Sequence, residues 1–278
     1  MKMSVMVFPF HKELSDKTLS PKKFMEEMKK VGVTALEPML SWVDSDPASW
    51  NELRKAAADA GMQYSCFDIG ANFVGENAEE RRKAFDNVAR GVEWCVQVKC
   101  PVALLPGSRP ATGMSNEEGR KIYSEGLAKS FDMTKGSGVT LTIEDFGVYP
   151  HFACHSKHCI EVLDGAKRPA LKLTFDNGNF ILADEKPVDA FKHTKDRIVH
   201  VHIKDFALRP PDDKPGLTTP AGKKYMGCEI GAGVTQVKEC LALIKASKYN
   251  GWISLEVGTR PPLDSAIQGA KYVTEAWK

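Results

Sequence analysis

Short apolar runs alternate with helical stretches eight times along the chain, the pattern of strand–helix–strand units that build a parallel sheet. The runs cover residues 4–8, 35–39, 64–69, 102–105, 141–144, 171–176, 198–204 and 252–257. Between them, Ser20-Pro21, Asp46-Pro47 and Ser115 with Glu118 three residues on read as helix starts, while Gly32, Gly61 and Gly136 to Gly138 read as stops. Eight strands each followed by a helix fit either an open doubly wound sheet or a closed barrel. No strand leads into G-x-G-x-x-G, because Gly231-Ala232-Gly233 lacks the third glycine and follows a loop. A count of eight within 278 residues therefore predicts an α/β fold with one domain over residues 1–278, a (β/α)8 TIM barrel. The stretch at about 206–230 is rich in Pro, Gly, Lys and Asp and is expected to be a long irregular loop after the seventh strand, a candidate active-site lid.

Strands of a parallel sheet are buried on both faces and commonly read as continuous apolar runs. The last four here do not. Leu141 and Ile143 oppose Thr140, Thr142 and Glu144; Leu171, Leu173 and Phe175 oppose Lys172, Thr174 and Asp176. Val199, Val201 and Ile203 oppose His200, His202 and Lys204, and Ile253, Leu255 and Val257 oppose Ser254 and Glu256. Because successive residues of a barrel strand face the helices and the lumen in turn, these strands carry an apolar outer face and a polar inner one. Glu144, Asp176, His202 and Glu256 all fall at C-terminal strand ends, where barrel enzymes place their chemistry. Three carboxylates converging in one lumen need compensating positive charge. With no equal supply of inward Lys or Arg, the expected compensation is one divalent cation, and a set of mostly hard oxygen donors suits Mn2+ or Mg2+, with Co2+ and Zn2+ also able to fit. Glu37, ending the second strand, is either a structural salt-bridge partner or a substrate contact.

Composition narrows the partner. Thirty-eight Lys and Arg against 36 Asp and Glu leave a formal charge of +2, too near neutral for a surface that holds nucleic acid or an anionic membrane. The expected partner is a small molecule found by a site, with no nucleic acid and no membrane, and a homo-oligomer is compatible with the sequence. Seven Cys scattered without a CxxC pair, and no N-x-[ST] acceptor, give no support for a disulfide framework or secretion, so the expected setting is reducing and cytoplasmic.

The segments Leu141-Thr-Ile-Glu144, Leu173-Thr-Phe-Asp176-Asn-Gly-Asn179, His200-Val-His202-Ile-Lys204-Asp205, Gly231-Ala-Gly233 and Gly251-Trp-Ile-Ser-Leu-Glu256, in this order, resemble the xylose isomerase-like TIM-barrel superfamily. This group holds sugar phosphate isomerases and epimerases, inosose and dehydroshikimate dehydratases and endonuclease IV. The resemblance implies that Glu144, Asp176, His202 and Glu256 are metal ligands and that Glu144 and Glu256 double as the catalytic acid/base pair. The expected reaction is isomerisation or epimerisation of a sugar by proton transfer next to a carbonyl, through a metal-bound enediolate. The alternative is a metal-dependent dehydratase or lyase on a keto-sugar, inosose or dehydroshikimate-like substrate. This chain has Asn179 where ketose 3-epimerases carry a His, and Arg209 one place further from His202 than their substrate Arg. These two residues, with His200, Lys204 and Glu37, are the substrate-binding candidates. Lys204 holds a substrate hydroxyl or leaving group, or is a rim Lys paired with Asp205. An endonuclease of this fold needs a trinuclear cluster with several more His than the strand ends offer.

Two further signals carry less. His151, Cys154, His155, His158 and Cys159 form the densest His/Cys stretch, yet match no standard zinc spacing and read as pocket residues and helix packing. Lys204, Arg209, Lys223, Lys224 and Arg260 crowd the loops where barrels often hold phosphate, which permits a phosphorylated substrate, although exposed loop Lys is the commoner explanation.

Overall fold

The computed structural model describes residues 1–210, 212 and 216–278. Its main sheet contains the strands Lys2–Met6, Val33–Glu37, Gln63–Tyr64, Phe67–Asp68, Val102–Leu105, Thr140–Glu144, Lys172–Asp176, Ile198–Ile203 and Trp252–Leu255, with every neighbouring pair parallel. The two ends of the sheet order are Gln63–Tyr64 and Phe67–Asp68, consecutive pieces of one interrupted third strand. Pairing runs across the interruption, since Ser65 N donates to Leu36 O at 3.0 Å and Ile69 N to Leu104 O at 2.8 Å. The sheet thus returns on itself as the expected eight-stranded barrel, ringed by helices.

Helix starts follow local chemistry. Ser20, Asp46 and Ser115 are N-caps whose side chains accept from the backbone N–H of Lys23, Ser49 and Glu118, and Pro21 and Pro47 occupy the first helical positions. Gly32 and Gly61, after the first two long helices, adopt φ of +81° and +67°, left-handed values that a side chain resists. Several strands end a little earlier than the apolar runs do. Pro9 in the 3-10 turn Phe8–Phe10 stops the first, and Pro38 stops the second, because proline cannot donate to the ladder.

The alternation read from the last four strands is realised. Leu141, Ile143, Leu173, Phe175, Val201, Ile203, Ile253 and Leu255 all join the single large core between sheet and helices. Trp50, on the helix Pro47–Asp59, anchors that layer, meeting Trp42, Tyr64, Phe67 and Trp94 edge-on at 5.8–6.4 Å between ring centres. Inside the barrel, the third and fourth strands contribute a separate small apolar cluster of Cys66, Val102 and Leu104. The lumen is therefore apolar on one side and polar on the other.

The loop expected to be irregular at about 206–230 contains a three-stranded antiparallel sheet of Asp205–Arg209, Lys224–Cys228 and Leu217–Thr218; its residues 211 and 213–215 lie outside the described residues. The Pro and Gly content hid three short strands that pair among themselves, a signal that the run-and-helix pattern does not carry. No helix among the described residues is long and apolar enough to cross a membrane.

At the C-terminal end of the first strand, His11 stacks on Trp42 with ring centres 4.5 Å apart, and its Nε2 is buried with no hydrogen-bond partner. Burial lowers the His11 pKa from 6.5 to about 4. The unfolded chain protonates this ring below about 6.5 and the folded one resists until about 4, so stability is present above that window and lost as pH falls through it. Replacing His11 by Phe, which keeps the stacking, should cut the stability loss between pH 7 and pH 5 by roughly 2 kcal/mol, measured by urea unfolding at both pH values.

Candidate metal and proton-transfer site

Four strand ends bring the site together. Glu144 and Asp176 close the fifth and sixth barrel strands, His202 is the penultimate residue of the seventh, and Glu256 follows the eighth, tied back by its backbone N–H to Ile203 O at 3.0 Å. One donor atom from each of these four residues lies within 4.8 Å of all the others. His202 Nδ1 is 2.8 Å from Glu144 Oε1, 3.7 Å from Glu256 Oε2 and 3.8 Å from Asp176 Oδ2. Three are buried, and the Glu256 side chain, 22% exposed, faces the opening.

The surrounding bonds aim these groups. Asp176 Oδ1 accepts from the backbone N–H of Gly178 and Asn179 at 2.8 and 3.0 Å, which turns Oδ2 toward the centre. On the far side of the imidazole, His202 Nε2 meets Glu37 Oε1 at 2.8 Å, and His200 Nε2 meets Glu37 Oε2 at 2.9 Å. Glu37 reaches across the lumen from the second strand and, like His200, is fully enclosed. It locks the imidazole so that Nδ1 points at the carboxylates, a buried outer-shell role of the kind that orients metal-binding His residues.

Lys204 gives the main surprise of the site. Its ammonium lies 2.8 Å from Glu256 Oε1 and 3.0 Å from Asp176 Oδ2, while Asp205, its expected rim partner, points elsewhere. The lumen therefore has an inward lysine that alternation alone leaves indistinguishable from a rim lysine. Gly178 makes room for it, because a Cβ there would stand 2.3 Å from Lys204 Cγ.

Charge in this enclosed space is strongly perturbed. Burial, then the like charges of Glu256 and Glu144, push the Asp176 carboxyl up to about 7 against the pull of Lys204. Burial also works against ionisation of Glu256, but Lys204 and His202 outweigh it and hold that carboxyl below its ordinary value. His202 is the mirror case: burial disfavours its charge, and the carboxylates of Glu37 and Glu144 raise its pKa well above the ordinary value. Asp68 and Asp145, absent from the sequence reading, are driven well above the ordinary carboxylate range by burial. Asp145 accepts from Asp176 N at 2.9 Å. Asp68 shares its strand face with Cys66, so the same alternation extended to the third strand would have found it, had the strand been unbroken.

The donor set fits a divalent ion. Three carboxylates and one imidazole converge on one point, with Asp176 Oδ2 aimed inward beside the Lys204 ammonium, 3.0 Å away.

The remaining candidates spread out. Asn179 is buried beside Asp176, its side-chain oxygen 2.6 Å from where a Cβ on Gly147 would stand. Arg209 ends the first strand of the small antiparallel sheet, opposite Lys224. In the His/Cys stretch the helix begins only at Ser156, with His155 as its N-cap, so His151, His155 and His158 do not share one helical face; no metal-ligand group occurs there among the described residues. Lys223 pairs with Asp184 and Arg260 with Glu13. A cleft of about 420 Å³, including Asn72, Ser108, Arg109 and Phe146, opens between the loops after the third, fourth and fifth strands. A roomier cleft, about 740 Å³, lies at the opposite rim around Gln63, Lys99 and Trp252 and holds none of these groups, so volume is no guide to the chemistry here.

Comparison with known proteins bears on this arrangement. The sequence model of the xylose isomerase-like TIM barrel matches residues 25–276. An inosose dehydratase of Lacticaseibacillus casei is 34% identical over 110 residues, 37% of this chain and 37% of that enzyme, so the chain aligns with little more than a third of that relative. The L-ribulose-5-phosphate 3-epimerase UlaE of Salmonella paratyphi C is 25% identical over 79% of this chain and 73% of its own. Among solved structures, the IOLI protein, which holds a bound zinc atom, superposes with a TM-score of 0.76 at 17% identity over 100% of this chain and 98% of its own.

Asp205 secures the loop that frames the site. Its carboxylate accepts from the backbone N–H of Phe206, Gly231, Gly233 and Thr235 at 2.9–3.1 Å and from the Thr235 hydroxyl at 2.8 Å. A Cβ at Gly233 would stand 2.3 Å from Asp205 Oδ1, so only glycine lets the backbone come this close. Asp205→Ala should lower stability by about 3 kcal/mol or more in urea unfolding, because it strands several buried N–H donors, and Asp205→Asn should lose clearly less.

Proposed function

The chain belongs to the xylose isomerase-like TIM-barrel family, and from that premise we propose that it is a divalent-metal-dependent isomerase or epimerase of a sugar or related polyhydroxy carbonyl compound. The observation that carries this reading is the convergence of two carboxylates, Glu144 and Glu256, on one imidazole nitrogen, 2.8 and 3.7 Å from His202 Nδ1, with the Lys204 ammonium 2.8 Å from Glu256. Glu144, Asp176, His202 and Glu256 would hold the ion, Mn2+ or Mg2+ by donor hardness with Co2+ or Zn2+ as alternatives. When bound, it supplies a Lewis acid that polarises a carbonyl and makes the neighbouring C–H more acidic.

The chain's own residues do the rest. Glu256, the more open of the two carboxylates, removes the proton beside the carbonyl while Lys204 steadies it. Glu144, across the centre and hydrogen-bonded to His202, returns a proton to the other face or to the neighbouring carbon. Glu37 and His200 act behind His202 as positioning residues, which for Glu37 is the salt-bridge alternative of the two the sequence left open. Asn179 and Arg209 remain substrate-binding candidates at the rim.

A second reading, a dehydratase or lyase, shares the first proton removal and then expels a β-hydroxyl. Lys204 favours it, because an ammonium 2.8 Å from the base can protonate a departing hydroxyl, and so does the likeness to an inosose dehydratase.

The proposal predicts that Glu144→Gln and Glu256→Gln each reduce kcat by at least about 100-fold with the fold intact by circular dichroism. A screen of ketoses, aldoses, inososes and keto-glycosides in deuterated water separates the two readings. Solvent deuterium in product of unchanged composition supports isomerisation, and an unsaturated product supports dehydration. A purified protein that binds no divalent metal, or a Glu256→Gln variant with wild-type turnover, overturns both.

A further inference from the structure

One inward position deeper on the seventh strand, the lumen holds a second set of metal-ligand types. Glu37, Cys66 and His200 each offer an atom, and these atoms lie within 4.8 Å of one another. None reaches solvent: Glu37 is 1% exposed and the other two 0%. They come from the second, third and seventh strands, so the barrel wall, not a flexible loop, fixes their approach.

The polar atoms around them are incompletely satisfied. His200 Nδ1, Asp68 Oδ1, Ser4 Oγ and Ser254 Oγ are all buried in the barrel strands without a hydrogen-bond partner. Asp68 shares the inward face of the third strand with Cys66, and Ser4 and Ser254 pair in register on adjoining strands. Cys66 packs with Val102 and Leu104 on the apolar side of the lumen, and its thiol lies where that side meets the Glu37–His200 pair.

We propose that Glu37, Cys66 and His200 form a second divalent-metal site inside the barrel, beneath the strand-end site, for a borderline-soft ion such as Zn2+. A thiolate, an imidazole and a carboxylate match that ion's donor preference, in contrast to the oxygen-rich set above. Tetrahedral coordination at roughly 2.0–2.3 Å spaces donors about 3.3–3.8 Å apart, so the 2.9 Å contact of His200 Nε2 with Glu37 Oε2 would open by about half an ångström. On binding, the Cys66 thiol releases its proton to solvent and no electron is exchanged. Glu37 would then bridge the two centres, one oxygen on the deep ion and the other 2.8 Å from His202 Nε2. Because the site is enclosed, its ion exchanges slowly and resists chelators that strip the strand-end site.

Cobalt(II) is the probe. Wild-type protein, Asp176→Asn and Cys66→Ala are each produced in cobalt-supplemented medium and assayed for metal per chain and for the near-ultraviolet thiolate-to-cobalt absorption. Wild type should hold two ions per chain and show the band. Asp176→Asn should hold one and keep the band, while Cys66→Ala should hold one and lose it. One ion in wild type that Asp176→Asn abolishes, with no band, overturns the deep site and leaves the strand-end reading standing. No ion in either protein overturns both. A band that survives Cys66→Ala assigns it to another thiol and also overturns the proposal. If Cys66→Ala fails to fold, the band and metal content of Asp176→Asn decide alone.

Discussion

The structure turns on negative charge gathered where water is scarce. Glu144, Asp176 and Glu256 enter one enclosed space from the fifth, sixth and eighth strands, and ionised carboxylates in such surroundings are strongly disfavoured unless compensated. His202 and Lys204 supply part of that compensation, each by touching more than one carboxylate. In two further acids close by, Asp68 and Asp145, burial shifts the balance toward the neutral form. The result is a pocket whose protonation states are set by one another, which is the condition an acid/base site needs and which an ordinary surface salt bridge does not create.

That charge arrangement explains features otherwise unrelated. Lys204 can reach inward only because residue 178 is glycine, and Asp176 can aim one oxygen at the centre only because its other oxygen is held by the backbone of the same turn. The imidazole of His202 is fixed from behind by Glu37, itself braced by His200, so a strand on the far side of the lumen sets the direction of a ring on the near side. The barrel is thus a means of fixing orientation as much as a core.

Most of this was legible in the sequence wherever alternation was uninterrupted. The fifth to eighth strands are regular, so a two-residue period assigned Glu144, Asp176, His202 and Glu256 to one lumen without knowledge of their contacts. The third strand breaks at Ser65-Cys66, and there the period failed to reveal Cys66 and Asp68 as inward residues. Side-chain reach was also invisible: alternation put Lys204 on the inner face, but nothing in the spacing says that Glu37 spans the lumen or that Lys204 pairs with Glu256 and Asp176 and not with Asp205. The antiparallel sheet after the seventh strand was hidden because its strands are short and turn-rich, and their stability comes from pairing with one another, a non-local term absent from any window of sequence.

The Asp205 carboxylate fastens the start of the long seventh connection to its end at Gly231, Gly233 and Thr235, and Thr235 in turn binds Asn177 and the carbonyl of Lys204. The excursion is therefore closed at its root, as a drawstring closes a bag, before the chain departs toward the small sheet. The stretch between those two ends carries the small sheet, which packs on Leu182 through Phe206 and Tyr225. Evolution or an engineer can lengthen, shorten or recompose it to admit different substrates, while the geometry of proton transfer stays where the barrel put it.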